Sequence, residues 1–350
     1  MIWLTWRQMR VQAISAIAAL AAFGILLAAT GPHLAGLYSA SGITGCHGAP
    51  CISAAARFLN RLSTISPYTL VYEIGIGLIL AAPAIVGIFW GAPLIAREFE
   101  TRTFALAWTQ SVTRTRWLAA RLALTGLAAM VATEALSLMY GWWAEPIGRA
   151  IGLGGNETWR LPAAFSMHQF SLVIFATHGI TPLGYAAFAF ALGTATGAVI
   201  RRSLPAIAIT LAIVAAVQVA TPLWIRPNLV PPEQTVVSGP SFFVSAGLSV
   251  GTLEASVVPG QPGAWIISSG AATAAGQRVS SIPNACLAPT LKGPPPNAGA
   301  CMARHGIREV IAFQPASRYW TFQWIETGMF AAVAFALAGF SFWRLGRRRN

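Results

Sequence analysis

The sequence predicts an all-α polytopic membrane protein with six transmembrane helices and both termini in the cytoplasm. Of its 350 residues, 55% are hydrophobic and only 9% are charged, whereas a soluble domain carries about a quarter charged residues. The apolar residues gather in long blocks, and the arginines flank those blocks. The net charge of +13 is therefore better explained by membrane topology than by nucleic-acid binding.

Six segments have the roughly 20 apolar residues that a helix needs to cross a bilayer. We number them as spans one to six: 11–30, 70–95, 117–140, 180–200, 204–224 and 321–343. Span one is too long for a cleaved signal peptide, so we predict an uncleaved anchor. Pro83 and Pro93 predict kinks in span two, with the freed carbonyls satisfied by neighbouring helices.

Two shorter segments lie beside the spans. Residues 1–10 place Trp3, Trp6 and Met9 on one helical face, which suits an amphipathic helix lying at the inner interface. An ordinary basic flank of a membrane anchor explains the same residues. Residues 162–179 are predicted to dip into the outer interface before span four, since their apolar part is too short to cross.

The distribution of basic residues sets the orientation. With the N-terminus inside, 13 of the 23 basic residues fall in short cytoplasmic segments, including the tail 344–350. The other ten are spread over the long outer segments 31–69, 141–179 and 225–320. Because short loops rich in arginine stay inside, we expect both ends of the chain to be cytoplasmic. Lys292 is the single lysine among the 23 basic residues, a composition typical of GC-rich bacterial genomes, so we expect a bacterial plasma membrane.

All four cysteines lie in the outer segments, on the side that is oxidising in bacteria. We predict local disulfides, Cys46–Cys51 and Cys286–Cys301, although four cysteines permit three pairings. A metal site built from Cys46, His47 and Cys51 is the alternative.

The outer segment 225–320 is long enough to form a small extracellular domain. Four apolar runs in it (TVVSG, FFVSAGLSV, AWIISSG and EVIAF) are separated by Gly and Pro. Such runs predict short β-strands.

Three acidic residues lie within the spans: Glu73, Glu134 and Glu326. All three fall toward the predicted outer ends. Ionisable groups inside a membrane are functional candidates, so they define a possible outer gate or substrate pathway. Pairing with arginine or water near the headgroups is the simpler interpretation.

A charged insert separates span two from span three and predicts a short cytoplasmic helix at 97–115. Glu98 and Arg102 are four residues apart, the favourable order for a helical ion pair. Both signs of charge and exposed aromatic residues suit docking onto a protein more than onto lipid. The residues predicted to make this contact are Arg97, Glu98, Phe99, Glu100, Arg102, Phe104, Trp108 and Arg114.

The sequence contains no G-x-x-x-x-G-K-[ST] phosphate loop. Such a loop cradles the phosphates of ATP, so we do not expect this chain to hydrolyse ATP by itself. It also lacks the H-E-x-x-H pattern, and no catalytic residue or metal site is predicted.

Four stretches carry a resemblance to a known family: MIWLTWRQ, FWGAPLIAREFETRTFALAWTQSVTRTRWLAARL, GYAAFAFALG and FQPASRYWTFQWIETGMF. Together they resemble actinobacterial permease subunits of ABC transporters, in the type-2 (ABC-2) exporter superfamily. The resemblance implies two permease subunits, as a homodimer or heterodimer, and two separate ATPase subunits that bind ATP and Mg²⁺. It also implies that 97–115 is the coupling helix that contacts the ATPase.

Three functions compete at this stage. An exporter permease moving a hydrophobic or amphipathic compound explains the spans, the insert and the missing phosphate loop. A non-transporting accessory or sensor subunit would use the outer domain to recognise a ligand. An intramembrane enzyme would use the outer acids, but the sequence shows no paired catalytic spacing.

Overall fold

The structure is a computed structural model, and it describes residues 2–46, 49–101, 114–153, 169–237, 261, 263–273, 275–277, 279 and 298–346. Six helices in these ranges are long and apolar enough to cross a membrane. They are Arg10–Ala40, Pro67–Glu100, Ala119–Leu153, Thr181–Ile200, Ser203–Asn228 and Ala316–Arg344. The six predicted spans are confirmed in number and order, and we keep their numbers.

The elements follow one another as a helical bundle interrupted by one small sheet. The α-helices are α1 (Ile2–Ala40), α2 (Ala49–Thr64), α3 (Ser66–Ile85), α4 (Ala92–Thr101), α5 (Arg114–Leu153), α6 (Leu172–Thr177), α7 (Thr181–Ile200), α8 (Ser203–Ala220), α9 (Ala298–Arg304) and α10 (Tyr319–Gly346). The strands are β1 (Glu233–Val237), β2 (Trp265–Thr273) and β3 (Ile307–Gln314). Two π-helical segments, Val86–Gly91 and Thr221–Ile225, lie within spans two and five.

The bundle has two chemically different ends. We call the end that carries Cys46 and the three strands the sheet side. The opposite end carries Arg10, Arg97 and Arg201, and we call it the arginine side. That the arginine side faces the cytoplasm stays a prediction.

Several helices continue past their apolar segments. Residues 2–10, predicted as a separate interfacial helix, run without a break into span one. Span two continues to Thr101 and α5 begins at Arg114, so the first residues of the predicted coupling helix extend span two. A helix can project beyond the hydrocarbon in this way because its backbone hydrogen bonds are satisfied within it. Residues 102–113 lie outside the described ranges.

Span two changes its helical geometry between its two prolines. Pro83 precedes the π-helical segment Val86–Gly91, and Pro93 follows it. Since Pro93 has no N–H, it cannot donate to the carbonyl of Phe89 one turn earlier. The side-chain amide of Gln12 in span one donates to that carbonyl at 3.0 Å. This contact agrees with the prediction that a neighbouring helix satisfies a freed carbonyl.

Span four lies at the centre of the bundle. Its apolar window is 72% buried, whereas no other span exceeds 44%. A Cβ at Gly193 would lie 2.7 Å from the backbone nitrogen of Ala92 and closer still to the carbonyl oxygen of Gly87. Small residues allow helix backbones to approach this closely. Span four also contacts span six, where the rings of Tyr185 (span four) and Phe330 (span six) pack with their centroids 4.3 Å apart.

The three strands form an antiparallel sheet with β3 between β1 and β2. Val237, Ile311 and Phe313 form its buried core. Three of the four predicted strand runs are confirmed, because TVV falls in β1, WIISSG in β2 and EVIAF in β3. The fourth run, FFVSAGLSV, lies in a range that the structure does not describe.

Two short helices cover the sheet-side ends of the spans. Helix α2 was not predicted, although its burial follows a helical period: Phe58, Leu59 and Leu62 are buried while Arg57 and Arg61 are exposed. Helix α6 falls in the segment predicted to dip into the interface, of which residues 162–168 are not described. Its Phe175 is fully buried, so α6 packs into the bundle.

Candidate functional site

The arginine-side end of span two is tied to span three by a charged pair. Glu98 accepts a hydrogen bond from the guanidinium of Arg121, and their side chains are only 15% and 10% exposed. A pair this well covered is poorly screened by salt. Removing one partner would leave the other charge without its counterion in a partly dry environment.

The next two residues of the same helix contact spans four and five. The guanidinium of Arg201, at the end of span four, lies 5.2 Å from the ring centroid of Phe99. Glu100 accepts hydrogen bonds from the backbone N–H of Ser203 at 2.8 Å and from its hydroxyl at 2.6 Å. Ser203 begins span five, so a carboxylate stabilises the positive end of that helix.

Three consecutive side chains therefore join the end of span two to spans three, four and five. We call this set the arginine-side junction: Glu98, Phe99, Glu100, Arg121, Arg201 and Ser203. The end of α4 is thus held to three other spans through hydrogen bonds and one ring contact.

The junction adds contacts that the sequence did not predict for the insert. Glu98 and Glu100 were expected to reach toward a partner, yet both carboxylates contact their own bundle. Glu98 pairs with Arg121, while Arg102, its predicted helical partner, lies outside the described ranges. Phe104 and Trp108 are also not described. Arg97 is exposed at the end of span two, and Arg114 begins α5.

The sheet side carries a second junction, built on a fully buried ion pair. Arg226 follows the π-helical end of span five, and its guanidinium donates twice to Glu326 of span six, at 2.9 and 3.1 Å. The two side chains are 1% and 0% exposed. Two parallel N–H···O bonds give this pair a fixed geometry as well as charge neutralisation.

Two aromatic residues complete the surroundings of this pair. The hydroxyl of Tyr185 in span four donates to Glu326 at 3.0 Å. The ring of Phe175 lies 4.0 Å from the guanidinium carbon of Arg226, close enough for a cation–π interaction. The pair thus joins spans four, five and six to the short helix α6.

Gln323, one turn before Glu326 in span six, fixes the start of span four. Its carbonyl oxygen accepts from the backbone N–H of Ile180 and Thr181, both at 3.0 Å. Its amide donates to the carbonyl of His178 at 3.1 Å. The side chain satisfies backbone N–H groups at a helix start that would otherwise be unpaired. We call Arg226, Glu326, Tyr185, Phe175 and Gln323 the sheet-side junction.

The three predicted membrane acids do not form one hydrogen-bonded group in the part of the chain that is described. Glu326 pairs with Arg226. Glu73 lies on the exposed face of span two. Glu134 has one buried carboxylate oxygen without a hydrogen-bond partner. The arginine partner of Glu326 was missed because Arg226 lies 100 residues earlier and was assigned to the outer segment.

The cysteines follow the disulfide prediction where they can be compared. Cys46 and Cys51 form a disulfide, so their thiolates are not available to the alternative metal site, and His47 is not described. Cys301 is disulfide-bonded, while Cys286, its predicted partner, lies outside the described ranges. Within those ranges no group of His, Cys, Asp or Glu is arranged to hold a metal ion.

The sheet contains a buried carboxyl group of its own. Glu309 on β3 is 2% exposed, and its Oε1 atom has no hydrogen-bond partner among the described residues. Burial raises the pKa of Glu309 from 4.5 to about 7. Between these two values the folded chain holds a proton that the unfolded chain has lost, so stability falls as the pH rises from about 4.5 to 7.

We therefore expect Glu309→Gln to remove this pH dependence and to stabilise the chain at pH 8 by about 1–2 kcal/mol, allowing for solvent screening. Unfolding of the purified chain at pH 5 and pH 8 measures the effect. Glu233→Gln, on the exposed edge of β1, is the matched control and should leave the pH dependence in place. A Glu309→Gln variant with the parent's pH dependence would contradict this expectation.

The fold and the two junctions define a multi-pass membrane protein whose spans are tied together at both ends, as expected for a membrane-spanning transporter subunit. A family model described as "ABC-2 membrane transporter related" matches residues 17–226. The match covers more than half of the chain, so the chain belongs to this family. It begins within span one and ends at Arg226, near the end of span five and before the strands and span six. No curated protein and no solved structure matches the chain.

Proposed function

We propose that the chain is the membrane-spanning permease subunit of an ABC exporter, driven by separate ATPase subunits that dock on its arginine side. Family membership and the six spans support a transporter permease. The observation that carries the coupling is the arginine-side junction, where one helix end contacts three other spans. ATP and Mg²⁺ would be bound by the ATPase, since this sequence has no phosphate loop.

The junction gives docking a mechanical consequence. A partner that pushes on the end of span two displaces Glu98, Phe99 and Glu100 together, because they are consecutive residues of one helix. Each residue is held to a different neighbour, so the displacement reaches spans three, four and five at once. The two carboxylates therefore act as positioning groups within this chain, and Arg97, exposed beside them, would lie at the partner's surface.

The assembly and its surroundings follow from the same proposal. Two permease subunits, identical or different, would work with two ATPase copies in a bacterial plasma membrane. The distribution of arginines supports an orientation with both termini in the cytoplasm. The proposed substrate is a hydrophobic or amphipathic compound moving outward, as the resemblance to exporter permeases implies.

We expect Glu98→Arg and Glu100→Arg to lower export by about tenfold, the scale of a coupling free energy between two sites, while the ATPase stays bound. Glu98→Arg would place two guanidinium groups together at the span-three contact. Glu100→Arg would put a positive charge at the positive end of span five. The measurement is ATP-dependent export of amphipathic fluorescent dyes by membranes containing the chain and its co-purifying ATPase.

Glu145→Arg is the matched control, because this carboxylate is exposed on the sheet-side part of span three. It should export at the parent's rate. If both junction variants also exported at the parent's rate with the ATPase bound, the proposed role of the junction would be wrong.

A further inference from the structure

The buried pair Arg226–Glu326 is costly for a membrane protein to keep. Charged side chains inside a bilayer are expensive and usually serve a function. A buried ion pair contributes little net stability, and a well-packed apolar pair of similar volume can be equally stable. The charges of this pair therefore need an explanation other than holding the fold together.

The position of Arg226 supplies that explanation. It begins the 3₁₀ turn Arg226–Asn228, directly after the π-helical segment Thr221–Ile225. A 3₁₀ turn is common at the end of a helix, whereas a π-helical segment within one is frequently found at a functional site. Strand β1 begins at Glu233, so the pair lies where span five passes into the sheet.

The sheet is attached to the bundle through this same place. Gln314, at the end of β3, donates to the carbonyl of Val230 at 2.7 Å. Arg318 donates to the carbonyl of Pro231 at 2.9 Å and pairs with Glu233 at 2.8 Å. These contacts lie beside the pairing of Glu233 with Phe313, where β1 begins and β3 ends. Since Arg318 is at the start of span six, the sheet joins the sheet-side ends of spans five and six.

We propose that Arg226 and Glu326 form a latch that holds the sheet-side ends of spans four, five and six together, and that the pair parts when these ends separate. The bidentate contact defines the closed arrangement. Tyr185 and Phe175 stabilise that arrangement from span four and from α6. In this proposal the sheet-side end has a closed state with the pair formed and an open state with the pair parted.

The latch proposal rests on the proposed transport function, but its test requires neither an ATPase nor a substrate. The probe is a cysteine at Thr177, which is fully buried on α6, in the full-length chain in its membrane. Its reaction with a membrane-impermeant maleimide is measured from each side. Leu172→Cys is the accessible control on the same helix, since Leu172 is 43% exposed.

In the parent we expect the cysteine at position 177 to react slowly. In the paired variant Arg226→Met with Glu326→Met we expect it to react about tenfold faster, because the apolar pair restores packing but lacks the directional bonds of the latch. The reaction at position 172 should not change. An unchanged rate at position 177 would overturn the proposal.

A milder variant keeps the proposal testable if the paired variant does not fold. Tyr185→Phe keeps the ring and the ion pair but removes one hydrogen bond to Glu326. We expect about fivefold faster labelling at position 177, the effect of losing about 1 kcal/mol of closed-state stability. Labelling at the parent's rate in Tyr185→Phe would contradict the latch. If labelling at position 177 changes as expected but the parent shows no ATP-dependent export, the proposed function alone would be contradicted.

Discussion

Replacing Arg226 by methionine is expected to lower the free energy of unfolding by about 3–5 kcal/mol. Methionine fills much of the space of the arginine side chain but carries no charge. Glu326 would then stay ionised without a partner, or would have to take up a proton inside the bundle. Denaturant unfolding of the purified chain in detergent micelles, followed by far-UV circular dichroism, measures the loss.

Two variants show whether this loss comes from an uncompensated buried charge. Arg149→Met removes a pair with Glu145 whose side chains are 62% and 53% exposed, and it should cost less than about 1 kcal/mol. Adding Glu326→Met to Arg226→Met should recover most of the stability, because no charge is then buried. Equal losses for Arg226→Met and Arg149→Met would show that burial of the pair has no energetic consequence.

Gly193→Ala should destabilise the chain by about 1–3 kcal/mol or more, even though alanine is the better helix former by about 1 kcal/mol. The added methyl group would lie 2.7 Å from the nitrogen of Ala92. Backbone atoms cannot rotate away as a side chain can, so spans two and four would have to separate. The same unfolding measurement detects the loss.

Gly339→Ala in span six is the matched control, because no heavy atom lies within 4 Å of the position that its Cβ would take. We expect this variant to be as stable as the parent or slightly more stable. A Gly193→Ala variant with the stability of Gly339→Ala would mean that spans two and four are not in close contact there.

The number and order of the spans could be predicted from sequence because they depend on local composition. A stretch of about 20 apolar residues satisfies the length of the hydrocarbon wherever it occurs in a chain. The residues at which the helices begin and end were less predictable. Residues 2–10 and 97–101 are polar enough to leave the membrane, yet they continue their helices, since backbone bonding does not stop where hydropathy changes.

The junctions could not be predicted because their partners are far apart in sequence. Glu98 lies 23 residues from Arg121, and Glu100 lies 103 residues from Ser203. Helical spacing offered Glu98 a local partner in Arg102, but it could not reveal how spans two and three pack. The site prediction named this segment but could not give the contacts that its carboxylates make with spans three and five.

The partner of Glu326 could not be predicted either, because it is also far away in the sequence. Its apolar surroundings marked it as a candidate, and pairing with arginine or water was the simpler interpretation. The structure pairs it with Arg226, which lies at the turn into the sheet. Helix α2 differs from both cases, because the period of Phe58, Leu59 and Leu62 was visible in the sequence.

The central claim is that ATP hydrolysed by a separate subunit drives this chain from its arginine side. The most direct measurement places a photo-crosslinking amino acid at Arg97 in the full chain, in native membranes, and identifies the captured protein by mass spectrometry. A matched crosslinker at the exposed Arg57 of α2 reports on the sheet side. We predict capture of an ATPase subunit with a phosphate loop from position 97 and not from position 57. Capture of no ATPase from position 97, or of an ATPase from position 57 instead, would contradict the account.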